Sequence, residues 1–177
     1  FIVVMCLRIA NVINKRVKLH RVQLITETRN TSFTLFPKKV KHRKWQVGRQ
    51  SETKRAKPDS RGVAVSFGSY GLKATTQSRV KSNQIEAARR VISRTLGKTG
   101  KIWIRIFPDR PATKKAAEVP MGKGKGDPEY FMFEVHPGRI LFEVDGVPED
   151  IAKEAMRKAA AKLPLKAKFV RRDETRV

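Results

Sequence analysis

Residues 101–107 read Lys101-Ile102-Trp103-Ile104-Arg105-Ile106-Phe107, and residues 121–126 read Met121-Gly122-Lys123-Gly124-Lys125-Gly126. The first run alternates strictly. Ile102, Ile104 and Ile106 fall on one side of an extended chain, Trp103, Arg105 and Phe107 on the other. Such a run is a strand of a packed sheet. The second run has no period. Glycine visits φ > 0 without steric cost and lets a backbone approach a surface closely. Lysine carries a point charge on a flexible stem and suits phosphate. A rigid strand followed by a cationic glycine loop implies a finger aimed at a crowded polyanion.

Strand and helix signals extend from this centre in both directions. Upstream, Val63 to Phe67 alternates and reads as a strand, Gly68 to Gly71 as a turn, and Leu72 to Thr76 as a second strand. Asn83 with Glu86 fits a capping box, and Ile85, Ala88, Ile92 and Leu96 share one helical face up to Gly97. Arg90, Arg94 and Lys98 recur every four residues on another face, with Arg89 beside them. Like charges at that spacing repel, which an anionic partner would relieve.

Downstream, Pro108 to Pro128 is a long connection, and Tyr130–Val135 and Arg139–Val144 form a hairpin about His136-Pro137-Gly138. Pro148 opens a helix running to about Leu163, with acids in its first turn and lysines near its end. Leu165 to Val170 is a last strand. The order β-β-α-β-β-β-α-β is an α+β domain, an antiparallel sheet with two helices on one face.

Charge divides the chain by role. The 177 residues hold 40 basic and 16 acidic side chains, net +24. Residues 1–61 are net +13, residues 62–126 net +11, and residues 127–177 neutral. A basic front and a neutral rear point to nucleic acid. Residues 1–34, which open on the apolar run Phe1–Leu7, are expected to be a leader or upstream translation outside the fold. Residues 35–62 hold ten basic residues and the turn-forming Pro58-Asp59-Ser60-Arg61-Gly62, and read as a basic arm that orders on its partner. Residues 63–172 are the domain and 173–177 a charged tail. Cys6 is the single cysteine, so no intramolecular disulfide framework exists. No stretch reaches the ~20 apolar residues of a membrane-spanning helix.

No chemistry-bearing constellation emerges. His20, His42 and His136 stand apart from cysteine or carboxylate at any metal-ligand spacing. Gly97-Lys98-Thr99 follows a helix and lacks the earlier glycine of a phosphate-binding P-loop. Gly122–Gly126 is not a dinucleotide fingerprint, and Ser66 and Ser69 match no nucleophile elbow. Glu143 and Asp145 read as strand-end solvation. No cofactor, metal or catalytic residue is expected.

Phe36-Pro37-Lys38-Lys39, Lys41–Lys44, Gly48-Arg49, Val65–Lys73, Gln84–Arg90, Gly100–Arg105, Met121–Gly126, Leu141–Val147 and Ala159–Pro164 occur in one order along the chain. Together they resemble the bacterial-type large-ribosomal-subunit protein sixteen family, from about Leu35 to about Arg171. The resemblance implies a hammerhead-type α+β sandwich and a structural, non-enzymatic role. It implies contacts with large-subunit rRNA, with A-site tRNA or also P-site tRNA near the peptidyl-transferase centre, and with neighbouring ribosomal proteins. The protein would be a monomer within cytoplasmic ribosomes.

By position, the resemblance assigns rRNA binding to Lys38, Lys39, Lys41, Arg43, Lys44 and Arg49 of the arm and to Arg89, Arg90 and Arg94 of the helix. Arg61, Lys73 and Arg79 are counted on the same surface. Met121, Gly122, Lys123, Gly124, Lys125 and Gly126 form the tRNA-proximal loop. Two departures stand out. Family members usually begin at the position of Leu35, and Pro120 stands where arginine is common. The rival readings are an RNA-processing or RNA-modifying enzyme with a basic guide surface, and a membrane-surface protein. The first lacks a visible site, and the second lacks a basic helix with large apolar residues.

Overall fold

A computed structural model describes residues 35–46, 48 and 57–173. The leader expected at 1–34, Arg49 and most of the tail lie outside the described residues. Among the described residues seven strands and two helices follow one another: β1 (Tyr70–Ala74), β2 (Ser78–Lys81), α1 (Ser82–Leu96), β3 (Lys101–Ile104), β4 (Arg110–Lys114), β5 (Asp127–Val135), β6 (Ile140–Asp145), α2 (Glu149–Ala160) and β7 (Ala167–Arg171). The class is α+β, as expected, but the strands form two sheets. One has the order β3-β6-β1-β7 and the other β2-β5-β4, and every pairing is antiparallel.

The alternation in residues 101–107 sets the layering. Ile102 and Ile104 pack against the main core with Leu72, Phe142 and Val144. α1 adds Ile85, Ala88, Ile92 and Leu96, the face expected from their spacing, and α2 adds Ala155, Met156 and Ala159. The small side chains of α2 bring it against α1, its principal neighbour, as well as β1 and β7. Charge follows the α2 dipole: Glu149 and Asp150 lie in its first turn, Arg157 and Lys158 in its last. The helix ends at Ala160, three residues before Leu163.

The opposite face of the four-stranded sheet carries Trp103, Glu143, Gly71 and Val170 in one cross-strand row. Residues 63–68 lie across this row instead of forming the expected strand. Val65 is buried over Gly71, where an added Cβ would come 2.8 Å from Val65 Cγ2. The amides of residues 66–68 are satisfied by a side chain. Glu143, 0% exposed, accepts from the amides of Ser66 at 3.2 Å, Phe67 at 2.6 Å and Gly68 at 3.0 Å. Arg105 closes the arrangement by donating from Nη1 to Glu143 Oε1. The expectation that Glu143 merely solvates a strand end is therefore overturned: it is a buried acceptor for three amides and a guanidinium.

Other corrections have local causes. The Asn83–Glu86 capping box sits two residues earlier, with Lys81 as the N-cap and its amide donating to Gln84 Oε1 at 3.0 Å. The connection 108–128 contains β4, whose Pro111 is tolerated because β4 is an edge strand. The expected hairpin of β5 and β6 does not form. The turn His136-Pro137-Gly138 carries the chain from one sheet to the other, with Gly138 at φ +95° donating to Ala74 O at 2.8 Å.

Breaking a buried ion pair from one side costs about 3–5 kcal/mol, because the remaining charge is left uncompensated. Arg105→Met should therefore lower unfolding stability by about 3 kcal/mol, seen as a reduced urea midpoint. The exposed Lys153→Ala should stay within about 0.5 kcal/mol of wild type. Equal midpoints for the two variants would refute the structural role given to Arg105–Glu143.

Candidate nucleic-acid interface

The three-stranded sheet receives the basic arm. Leu35 is buried in the main core, and the Phe36 ring meets Phe131 of β5 edge-on at 6.0 Å. Further along, the arm's backbone carbonyls meet arginines of the sheet. Arg110 Nη2 donates to Gln46 O at 2.8 Å and Arg79 Nη2 to Gly48 O at 2.6 Å. Glu134 of β5 lies between these two arginines. It pairs with Arg110 Nη1 and stands 3.6 Å from Arg79 Nη2. Arg79, expected to face rRNA, thus anchors the arm.

The arm also meets the base of the glycine–lysine loop. Lys44 Nζ donates to Lys125 O at 2.9 Å, and Lys125 Nζ donates back to Trp45 O. Asp127, the first residue of β5, pairs with Arg43 at 3.4 Å and Lys44 at 3.5 Å. These are exposed pairs, individually worth little. Four contacts in one register nevertheless bring two distant cationic segments together. Arm and loop form one surface, which their separation in sequence did not suggest.

Beyond Lys125 the loop projects. Met121 is 97% exposed. Gly122 at φ +92°, Lys123 at φ +52° and Gly124 at φ +92° are successive left-handed residues, and Lys123 is the only non-glycine with positive φ among the described residues. The glycines permit this turn, with open space where their Cβ atoms would be. Lys115 Nζ donates to Gly122 O across the neck.

The remaining expected residues are spread more widely. Lys38, Lys39, Lys41 and Arg61 are exposed, whereas Lys73 is half-buried within β1. The Arg61 backbone is fixed, its amide donating to Asp59 Oδ1 at 3.2 Å and its carbonyl accepting from Arg139 Nη1 at 2.7 Å. On α1, Glu86 accepts from Arg89 Nε at 2.8 Å and from Arg90 Nε at 3.0 Å. The Arg89 hydrogen bond holds the Glu86 carboxyl below its ordinary pKa, and Glu86 raises that of Arg89 in return. The face is therefore partly neutralised. Arg94 is exposed and, among the described residues, carries no ion pair.

Sequence reasoning missed Arg110, Lys115, Glu134 and Arg139. Their roles depend on cross-sheet register, for which neighbouring residues give no signal. No described group of His, Cys, Asp or Glu could hold a metal ion, and no described helix is long and apolar enough to cross a membrane. What this geometry offers is a broad cationic surface with one projecting tip.

Comparison with known proteins agrees with that surface. The family model for ribosomal protein L16p/L10e matches residues 37–170. Large ribosomal subunit protein uL16 of Methylibium petroleiphilum (strain ATCC BAA-1232 / LMG 22953 / PM1) is 54% identical over 138 residues, covering 78% of this chain and 96% of the relative. The chain belongs to the ribosomal protein L16p/L10e family.

Proposed function

We propose that the chain is a structural constituent of the large subunit of cytoplasmic ribosomes. It binds large-subunit rRNA through its arm and α1, and presents the Met121–Gly126 loop to tRNA near the peptidyl-transferase centre. The family is one of ribosomal proteins, not enzymes, so the RNA-processing alternative falls away. Neighbouring ribosomal proteins complete its partners, and it acts as a single copy.

The observation that carries this reading is the fastening of arm to loop. Lys44, Lys125 and Asp127 tie a phosphate-seeking segment to the base of a projecting finger. Anchoring the arm on rRNA would then set the direction of the tip. The two lysines of the loop have different tasks. Lys123 stands at the exposed tip, while Lys125 holds Trp45 O.

Phosphate contacts release counterions, so log K falls by about 0.7–0.9 per contact for each log unit of salt. Arg94→Ala should reduce the salt slope of binding to an rRNA fragment by about that amount. An unchanged slope would leave the residue in solvent.

Lys123→Ala should leave association with the large subunit intact and slow tRNA-dependent steps of translation. Lys125→Ala should additionally raise protease cleavage within 43–48, where the arm has lost a tie. Wild-type elongation rates in Lys123→Ala ribosomes would refute the assignment of the tip.

A further inference from the structure

Phe67 is 58% exposed, although everything behind it is fixed. Its ring stacks on Trp103 at 6.3 Å between centroids and 19° between planes. The Arg105 guanidinium carbon lies 4.7 Å from the Phe67 centroid. The backbone beneath is pinned by the buried Glu143, which accepts the amides of Ser66, Phe67 and Gly68 and pairs with Arg105. Gly68 presses against β6 so closely that a Cβ would stand 2.5 Å from Val144 O. Ser69 Oγ donates to Asp145 Oδ1 at 2.6 Å. A buried carboxylate, a guanidinium and a glycine contact thus hold an aromatic ring outward with much of its surface open to solvent.

We propose that Phe67 on Trp103 is a stacking platform for one unpaired base of single-stranded RNA, separate from the arm, the helix face and the glycine–lysine loop. The proposal rests on the reading that the chain binds RNA and adds a site to it. Every base has a π-face, and aromatic side chains take unstacked bases where a cationic surface guides the backbone. The neighbourhood supplies that charge. Lys101 is exposed on β3, and both Lys101 and Arg172 act on the Asp145 carboxyl beside Ser69. One open ring is the size of one base. It falls far short of the roughly 800 Å² per side of a stable protein interface.

The test uses the full chain and a single-stranded oligouridylate carrying one central 2-aminopurine, whose fluorescence falls on stacking. A Trp45→Phe background removes quenching by the other tryptophan. Phe67→Leu keeps an apolar side chain but loses the π-face. It should weaken binding about tenfold, equivalent to about 1.4 kcal/mol, and abolish the quench. Phe67→Tyr should retain both. Wild-type affinity and quench in Phe67→Leu would overturn the platform while leaving RNA binding itself intact. Failure of the Phe67-containing chain to bind the probe at low salt would instead overturn the RNA-binding reading on which the platform rests. Loss of a neighbouring protein from Phe67→Leu particles, with binding of the probe unchanged, would mean that the ring covers protein and would refute the platform.

Discussion

A buried carboxylate decides how the outer face of the four-stranded sheet is closed. Glu143 sits on the central strand pair with no exposure. An isolated charge there would be prohibitive. Three amides and one guanidinium make the position tolerable, and in doing so they dictate the path of residues 66–68. The segment cannot become a strand, because its donors already have an acceptor outside any ladder. With the segment laid across the sheet, Val65 covers Gly71 and joins Ile140 and Val170 in a small second core. Remove the carboxylate and both the path and that core lose their cause.

The second sheet solves a different problem. Its exposed surface must carry many cations without flying apart. Glu134 answers for two arginines at once, and each of those arginines gives its Nη2 to a carbonyl of the arm. An arm of this composition buries little apolar surface of its own. Backbone carbonyls at Gln46 and Gly48 hold it beside the few side-chain contacts of Leu35, Phe36, Arg43 and Lys44, while Lys38, Lys39 and Lys41 stay exposed. The acid on α1 works in a similar way. Glu86 keeps Arg89 and Arg90 oriented and softens the repulsion of a helix face that would otherwise be wholly cationic.

Much of this was legible along the chain. Ile85, Ala88, Ile92 and Leu96 announced α1, and alternation announced the two faces of β3, because burial on one side imposes a period, although the strand ends at Ile104 and not at Phe107. The positive φ of Gly122 and Gly124 was legible as well, through the residue type that tolerates it. The illegible parts are those set by distant neighbours. Val63 to Phe67 alternates like a strand, yet a carboxylate some 76 residues away captures its amides. Arg-Pro-Ala-Thr-Lys at β4 has weak strand chemistry, and only the neighbouring β5 makes it one. His136-Pro137-Gly138 has the chemistry of a hairpin turn, but nothing local says that its two arms join different sheets. Arg79 and Arg94 look alike in sequence. One anchors the arm and the other remains open, because Gly48 and Glu134 lie beside the first.

The loop shows why stiffness and mobility must be placed residue by residue. Its base is fastened: Lys125 and Asp127 face the arm, and Gly126 lies so close to Lys114 O that a Cβ would come within 2.7 Å. Its tip is unconstrained in space, since nothing lies within 4 Å of a Cβ built at Gly122 or Gly124. A left-handed lysine between two glycines is costly unless something repays it, for L-residues lose roughly 1–2 kcal/mol in that region. Within the chain Lys115 gives Gly122 O a donor, but among the described residues no hydrogen bond or ion pair offsets the left-handed Lys123. The conformation makes physical sense as a poised one, in which an anion placed at the tip would supply the missing favourable term. The tight base couples that tip to the arm through Lys44, Lys125 and Asp127, so that a displacement of one cationic segment would be felt by the other.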